Sequence, residues 1–119
     1  MPCKEREKAE APPLVFICSP LKGDMEANMQ RANRYCRFAA WQGVVPLAPH
    51  TIFTQYLDDE EEEERAAGRY LGLQLLKKCD ELWCFGERIS EGMKAEIALA
   101  KKRGIRVKYF TDRCERRVI

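Results

Sequence analysis

Apolar positions recur along the chain in two alternating rhythms. Continuous short runs, many of them β-branched or aromatic, fit strands buried on both faces: Leu14-Val15-Phe16-Ile17-Cys18, Val44-Val45-Pro46-Leu47-Ala48, Glu81-Leu82-Trp83-Cys84-Phe85 and Ile105-Arg106-Val107-Lys108-Tyr109-Phe110. Between them the spacing becomes helical. Residues 25–41 place Met25, Met29, Ala32, Cys36, Ala39 and Ala40 on a stripe, with Asp24 as N-cap and Gly43 as stop. A second helix is predicted over 61–78, with acids at its start, Lys77-Lys78 at its end and a stripe of Tyr70, Leu71, Leu73, Leu75 and Leu76. A third runs from about 91 to 102 and stops at Gly104. Pro46 pushes the second run toward a sheet edge. Residues 49–57 read as an irregular, unusually apolar connection of the kind that forms lids or binding loops.

Strands alternating with helices imply βαβ units, and right-handed crossovers place helices on both faces of a parallel sheet. The expected fold is therefore a single-domain α/β sandwich of three layers, flavodoxin- or Rossmann-like, with a mainly parallel sheet of about four or five strands. It spans 14–110, with a flexible, charged segment over 1–13 and a basic tail over 111–119.

A length of 119 residues fits one such domain, and 45% hydrophobic with 34% charged residues reads as globular. No apolar run approaches the ~20 residues a bilayer needs. The first apolar run, of five residues, is too short for a secretory h-region of about 7–15, so a cytoplasmic protein is expected. That compartment argues against disulfides among the six cysteines. Zinc is disfavoured by the absence of a C-x2-C pair and by His50 being the only histidine, so no metal site is expected; the chain is expected to work without a cofactor. The net charge is +2, with acids over 58–64 and a basic stretch over 101–117. The aromatics are not interleaved through that stretch in the manner of a nucleic-acid surface, Tyr109 and Phe110 standing side by side in the last strand, and solvated helix faces and a polar tail account for both runs.

In an open parallel sheet, ligands bind beyond the carboxyl ends of the strands. This rule selects residues 19–24, 48–55 and 86–96. In the last of these, Ser90 can cap a helix whose free N–H groups at Glu91, Gly92 and Met93 attract an anion, and Gly92 lets a ligand approach the backbone. Glu96 follows within two turns among apolar neighbours. Partial burial would raise its pKa and suit nucleophile or acid/base work; spacing alone favours an exposed Glu paired with Lys101 or Lys102. His50 could donate to a phosphate or base, or simply pack. Trp41 and Trp83 read as core, while Phe53 and Tyr56 could stack on a base or fill the core.

The segment Ser90-Glu91-Gly92-Met93-Lys94-Ala95-Glu96-Ile97-Ala98-Leu99-Ala100 resembles the S-x-G-x-x-x-E-x-x-x-A signature of the nucleoside 2-deoxyribosyltransferase-like family. Val15-Phe16-Ile17-Cys18-Ser19-Pro20-Leu21-Lys22-Gly23 is similar to that family's first strand and sugar loop, and Cys79-Asp80-Glu81-Leu82-Trp83 to its approach to the strand before the signature. The resemblance extends to short, often phage-encoded members of that family. The resemblance implies that Glu96 attacks the anomeric carbon of a (deoxy)ribosyl group, releasing the base and leaving a glycosyl ester for water or a second base to resolve. It implies that Ser90 and the N–H of Gly92 hold a 5′-phosphate or 5′-hydroxyl, with Met93 of the same helix start as a further candidate binding residue. Ser19, Pro20 and Gly23 would line the sugar and base cleft, with His50 and Gly86 beside it. It further implies a homo-oligomer with a nucleoside, nucleotide or nucleotide-derived ligand and no membrane partner. One position departs from the pattern: Gly72 stands where the family carries an acid, leaving three readings. An acid from 58–64 reaches the site, the ligand differs, or catalysis is lost. Two functions stay open, N-glycosidic cleavage or transfer as hydrolase or transferase, and nucleotide binding without turnover.

Overall fold

Strand β1 (Leu14–Cys18) has four of its five side chains buried, and alternation sends them to two different cores. Val15 and Ile17 join Ala32, Tyr35, Ala39, Trp83, Phe85 and Phe110 on one face of the sheet. Phe16 and Cys18 join Leu76, Leu82, Cys84, Met93, Ile97 and Ala100 on the other. The computed structural model describes residues 11–118; the expectation of a flexible start falls, for residues 1–10, outside the described residues.

The remaining elements are α1 (Met25–Gln42), β2 (Val45–Leu47), α2 (Pro49–Ile52), a 3-10 turn (Phe53–Gln55), α3 (Glu62–Leu76), β3 (Glu81–Phe85), α4 (Glu91–Lys102), β4 (Arg106–Phe110) and β5 (Arg116–Arg117). The sheet order is β2-β1-β3-β4-β5, and the first four strands are parallel. Helix α1 covers the face of Val15 and Ile17, whereas α3 and α4 cover the face of Phe16 and Cys18. Moving from β1 to β2 runs one way across the sheet, and both later crossovers run the other way. Right-handedness then puts α1 opposite α3 and α4, and the strand order reverses between β1 and β3. This is the three-layer α/β sandwich expected from the sequence.

Local chemistry explains the element ends. The Asp24 carboxylate accepts the N–H of Ala27 at 3.1 Å to start α1. Gly43 ends α1 in the left-handed conformation, with φ of 99°, as only glycine does cheaply. Pro46, which has no N–H, sits on β2, the edge strand. At the opposite end of the sheet from the ligand loops, Asp80 ties β1 to β3. Its carboxylate accepts the Leu14 N–H at 2.8 Å, and its own N–H donates to the Leu14 carbonyl at 2.8 Å.

Three expectations change. The 49–57 connection is folded: Pro49 presets the first turn of α2, the Thr51 hydroxyl donates to the Ala48 carbonyl at 3.0 Å, and a 3-10 turn follows. Trp41 is 56% exposed, because the buried stripe of α1 is Asn28, Ala32, Tyr35 and Ala39, and two residues beyond Ala39 lies the opposite side of the helix. Residues 111–118 do not trail as a free tail. The Thr111 hydroxyl accepts the N–H groups of Arg113 and Glu115, and β5 returns antiparallel along β4.

Replacing Asp80 by Ala removes the carboxylate acceptor of Leu14 N–H and is expected to lower unfolding free energy by about 1 kcal/mol in urea titration. Ligand affinity is expected to stay at the wild-type value, since Asp80 lies at the far ends of the strands.

Candidate active site

The carboxyl ends of β1 and β3 open under the start of α4, and α2 and α3 close the side. The result is a cavity of about 420 Å³. Its walls include Ser19, His50, Ser90, Gly92, Met93 and Glu96, so six of the nine residues singled out in the sequence meet there. Pro20 and Gly86 instead line a second, smaller cavity of about 280 Å³, with Asn28, Arg31, Tyr35 and Asp112. Gly23 lines neither and is exposed, with φ of +106°. Its loop is pinned by the buried Asn28, whose amide donates to the carbonyls of Leu21 and Lys22 at 3.0 and 3.1 Å. Phe53 is on the larger cavity's wall; Tyr56 is 65% exposed and stands outside it.

The helix start forms as its sequence suggests, with one difference. The Ser90 side chain accepts the Met93 N–H at 3.3 Å, so that donor is spent on the cap. The N–H groups that remain for a ligand are those of Glu91 and Gly92. Met93 turns its side chain into the core, 1% exposed, and serves the cavity as a wall.

Glu96 does not pair with Lys101 or Lys102; it is half-buried on the side of α4 that faces the cavity. Beneath it lie Cys18 and Cys84, facing each other across one rung of the β1–β3 pair, both fully buried. Burial pushes the Glu96 carboxyl up to about 7, opposed only in part by the Cys18 thiol beside it. The Cys18 thiol is itself held well up by the Cys84 thiol, by burial and by the charge of Glu96.

Two further groups on the cavity wall, Ser19 and His50, differ in how they are partnered. The Ser19 hydroxyl is buried with no hydrogen-bond partner among the described residues. A buried hydroxyl left unpaired costs free energy that a bound acceptor or donor recovers. His50 Nε2 lies 2.7 Å from the Ser19 carbonyl. A carbonyl only accepts, so Nε2 carries the proton and the neutral ring has a bare Nδ1. Burial pulls the His50 pKa down, with the Ser19 carbonyl and Asp59 acting in the other direction.

The cavity also contains residues beyond those nine. Asp59 and Glu64, from the acidic run, both line it, so an acid of that run does reach the site despite Gly72. Glu64 is occupied locally, accepting the Asp58 N–H at 2.9 Å. Lys22, Arg65 and Arg69 bring positive charge to the same walls. A signal for this existed. Gly68 and Gly72, one turn apart inside α3, are costly for a helix and also line the cavity. A Cβ at Gly72 would meet Pro49 of α2 at 3.6 Å, so the helices approach closely there.

Among the described residues, no helix is long and apolar enough to cross a membrane. No curated protein matches the chain by sequence. Among solved structures, a 2-deoxyribosyltransferase of Bacillus psychrosaccharolyticus is similar with a TM-score of 0.68 at 15% identity, over 89% of this chain and 76% of that one. A 2-deoxyribosyltransferase from Leishmania mexicana is similar with a TM-score of 0.63 at 17% identity, over 84% of this chain and 65% of that one. A conserved protein of Enterococcus faecalis V583 is similar at 0.59 and 19% identity, over 84% and 64% of the two chains. The chain thus has the deoxyribosyltransferase fold while spanning less than two thirds of the last two structures. The family model of a domain of unknown function, DUF7768, matches residues 13–110, and the chain belongs to that family.

Proposed function

We propose that this protein cleaves or transfers the N-glycosidic bond of a nucleoside or nucleotide, with Glu96 as nucleophile. The observation that carries the reading is a desolvated carboxylate on a cavity wall, next to an unpaired buried hydroxyl and a helix start with two free N–H groups. The likeness of fold to two 2-deoxyribosyltransferases supports it.

In the first step a Glu96 oxygen bonds to the anomeric carbon as the carbon–nitrogen bond breaks. The base departs with that electron pair and takes up a proton. The glycosyl ester is then opened by water, which gives free sugar, or by the nitrogen of a second base, which gives transfer. The N–H groups of Glu91 and Gly92 and the Ser90 hydroxyl receive the 5′ group. Ser19 supplies a hydroxyl to the sugar, and Asp59 takes the positioning role of the acid missing at Gly72. The protein works without a cofactor, and a second copy of the chain completes the site.

Binding without turnover is a second reading, favoured by Gly72. It predicts that nucleotides raise the melting temperature while chromatography finds no free base.

A panel of nucleosides and nucleotides assayed for released base tests the first reading. Glu96→Gln is expected to lower turnover by about a thousandfold or more, and unchanged release would overturn it. The nucleophile must be ionised, so kcat/KM is expected to rise with pH and level off above about 7.

The same raised pKa makes a stability prediction of definite sign. Between the ordinary value of 4.5 and about 7 the unfolded chain ionises Glu96 while the folded chain keeps it protonated, so rising pH destabilises the fold. Glu96→Gln removes this penalty. Its unfolding free energy should match wild type near pH 4 and exceed it by on the order of 2–3 kcal/mol at pH 8.

A further inference from the structure

The cavity holds more positive charge than the proposed chemistry of Glu96 uses. Lys22 on the β1–α1 loop and Arg65 and Arg69, one turn apart on α3, all line it. None of the three makes a side-chain hydrogen bond or ion pair among the described residues, where the ion pairs are Lys94–Glu91 and Lys108–Glu81. Of the carboxylates on the same walls, Glu91 is taken by Lys94 at 3.2 Å and Glu64 by the Asp58 N–H. Asp59 is close enough to His50 to act on its charge. None of the carboxylates on these walls, Glu96 included, forms an ion pair with any of the three cations, which stay available to a ligand.

Two guanidinium groups at i and i+4 on one helix lie about 5–6 Å apart at their Cβ atoms. That spacing suits neighbouring phosphates, since each planar fork can take two oxygens of one phosphoryl group. The free N–H groups of Glu91 and Gly92, on a different helix of the same cavity, can hold the first phosphate by themselves. A monophosphate seated there would leave α3 unmatched. The unpaired Ser19 hydroxyl, buried between these elements, is a further group awaiting a partner.

We infer that Arg65 and Arg69, assisted by Lys22, bind the outer phosphate of a diphosphate ester, so that the ligand of this site is a nucleotide carrying a diphosphate. The inference rests on the nucleotide reading of the cavity and narrows it. Nucleoside 5′-diphosphates and dinucleotides joined through a diphosphate share this chemistry.

Calorimetric titration of the turnover-blocked Glu96→Gln protein tests it, with five probes at low salt. They are a deoxynucleoside, its 5′-monophosphate, its 5′-diphosphate, a dinucleoside diphosphate and inorganic diphosphate. Each probe is repeated on protein that also carries Arg65→Gln and Arg69→Gln, exchanges between good helix formers. The diphosphate is expected to bind about tenfold or more tighter than the monophosphate, the scale of one charge-assisted contact. The double exchange should erase that increment, leave monophosphate affinity in place and abolish binding of inorganic diphosphate. Raising the salt should shrink the increment. Equal affinity for mono- and diphosphate, or an increment that survives the double exchange, overturns the inference while leaving the nucleotide reading intact. If inorganic diphosphate binds through the two arginines and no nucleoside-bearing probe gains from its base and sugar, the nucleotide reading falls instead. The dinucleoside arm separates the two sources: a further gain over the simple diphosphate assigns the ligand to the dinucleotide class.

Discussion

Everything in this fold follows from β1 being buried on both faces. A strand with Val15 and Ile17 on one side and Phe16 and Cys18 on the other must be covered twice. A chain of this size does so by sending α1 over one face and α3 and α4 over the other. The strand beside β1 on its second flank is β3, sixty-odd residues later, and the connections that leave the adjacent strands β1 and β3 run in opposite directions. The gap between their loops is the cavity. Site and core are thus the same solution to one burial problem, and weakening the Phe16 side of the core would deform the wall that carries Glu96.

The second theme is desolvation. Glu96 sits over two buried thiols rather than over water or a cation. That placement costs folding free energy at neutral pH, and the cost is what makes the carboxylate reactive in the mechanism proposed above. The uncompensated Ser19 hydroxyl belongs to the same pattern. Groups unsatisfied in the free protein cluster on one cavity, while the far ends of the strands, where Asp80 exchanges two hydrogen bonds with Leu14, are fully satisfied.

Much of this was legible in the sequence because short apolar runs and helical stripes alternate cleanly. Asp24, Gly43 and Ser90 act as their residue types suggest, since capping is a local interaction between near neighbours. Glu96 was ambiguous because its burial is decided by β1, far away in sequence. Arg65 and Arg69 went unseen for a related reason. An acidic run followed by basic residues looks like a solvated helix start, and only the close approach of Leu57 to Gly68 and of Pro49 in α2 to Gly72 turns that face inward. Trp41 misled because size suggests burial, whereas helical phase sends it to the surface. Pro20 and Gly86 lie at the strand ends as the topological rule requires, but on the opposite side of the sheet crest from Glu96.

The two margins of the sheet are finished in different ways, and together they limit how copies of this chain can meet. On one margin Pro46 withholds a hydrogen-bond donor. On the other, β5 is only two residues long, and both are arginines. Among the described residues, neither margin offers the long, uncharged ladder that strand-to-strand growth needs. Self-association is thereby steered away from continuous sheets and fibrils and toward contacts between helices, where Trp41 and Tyr70 already stand in solvent.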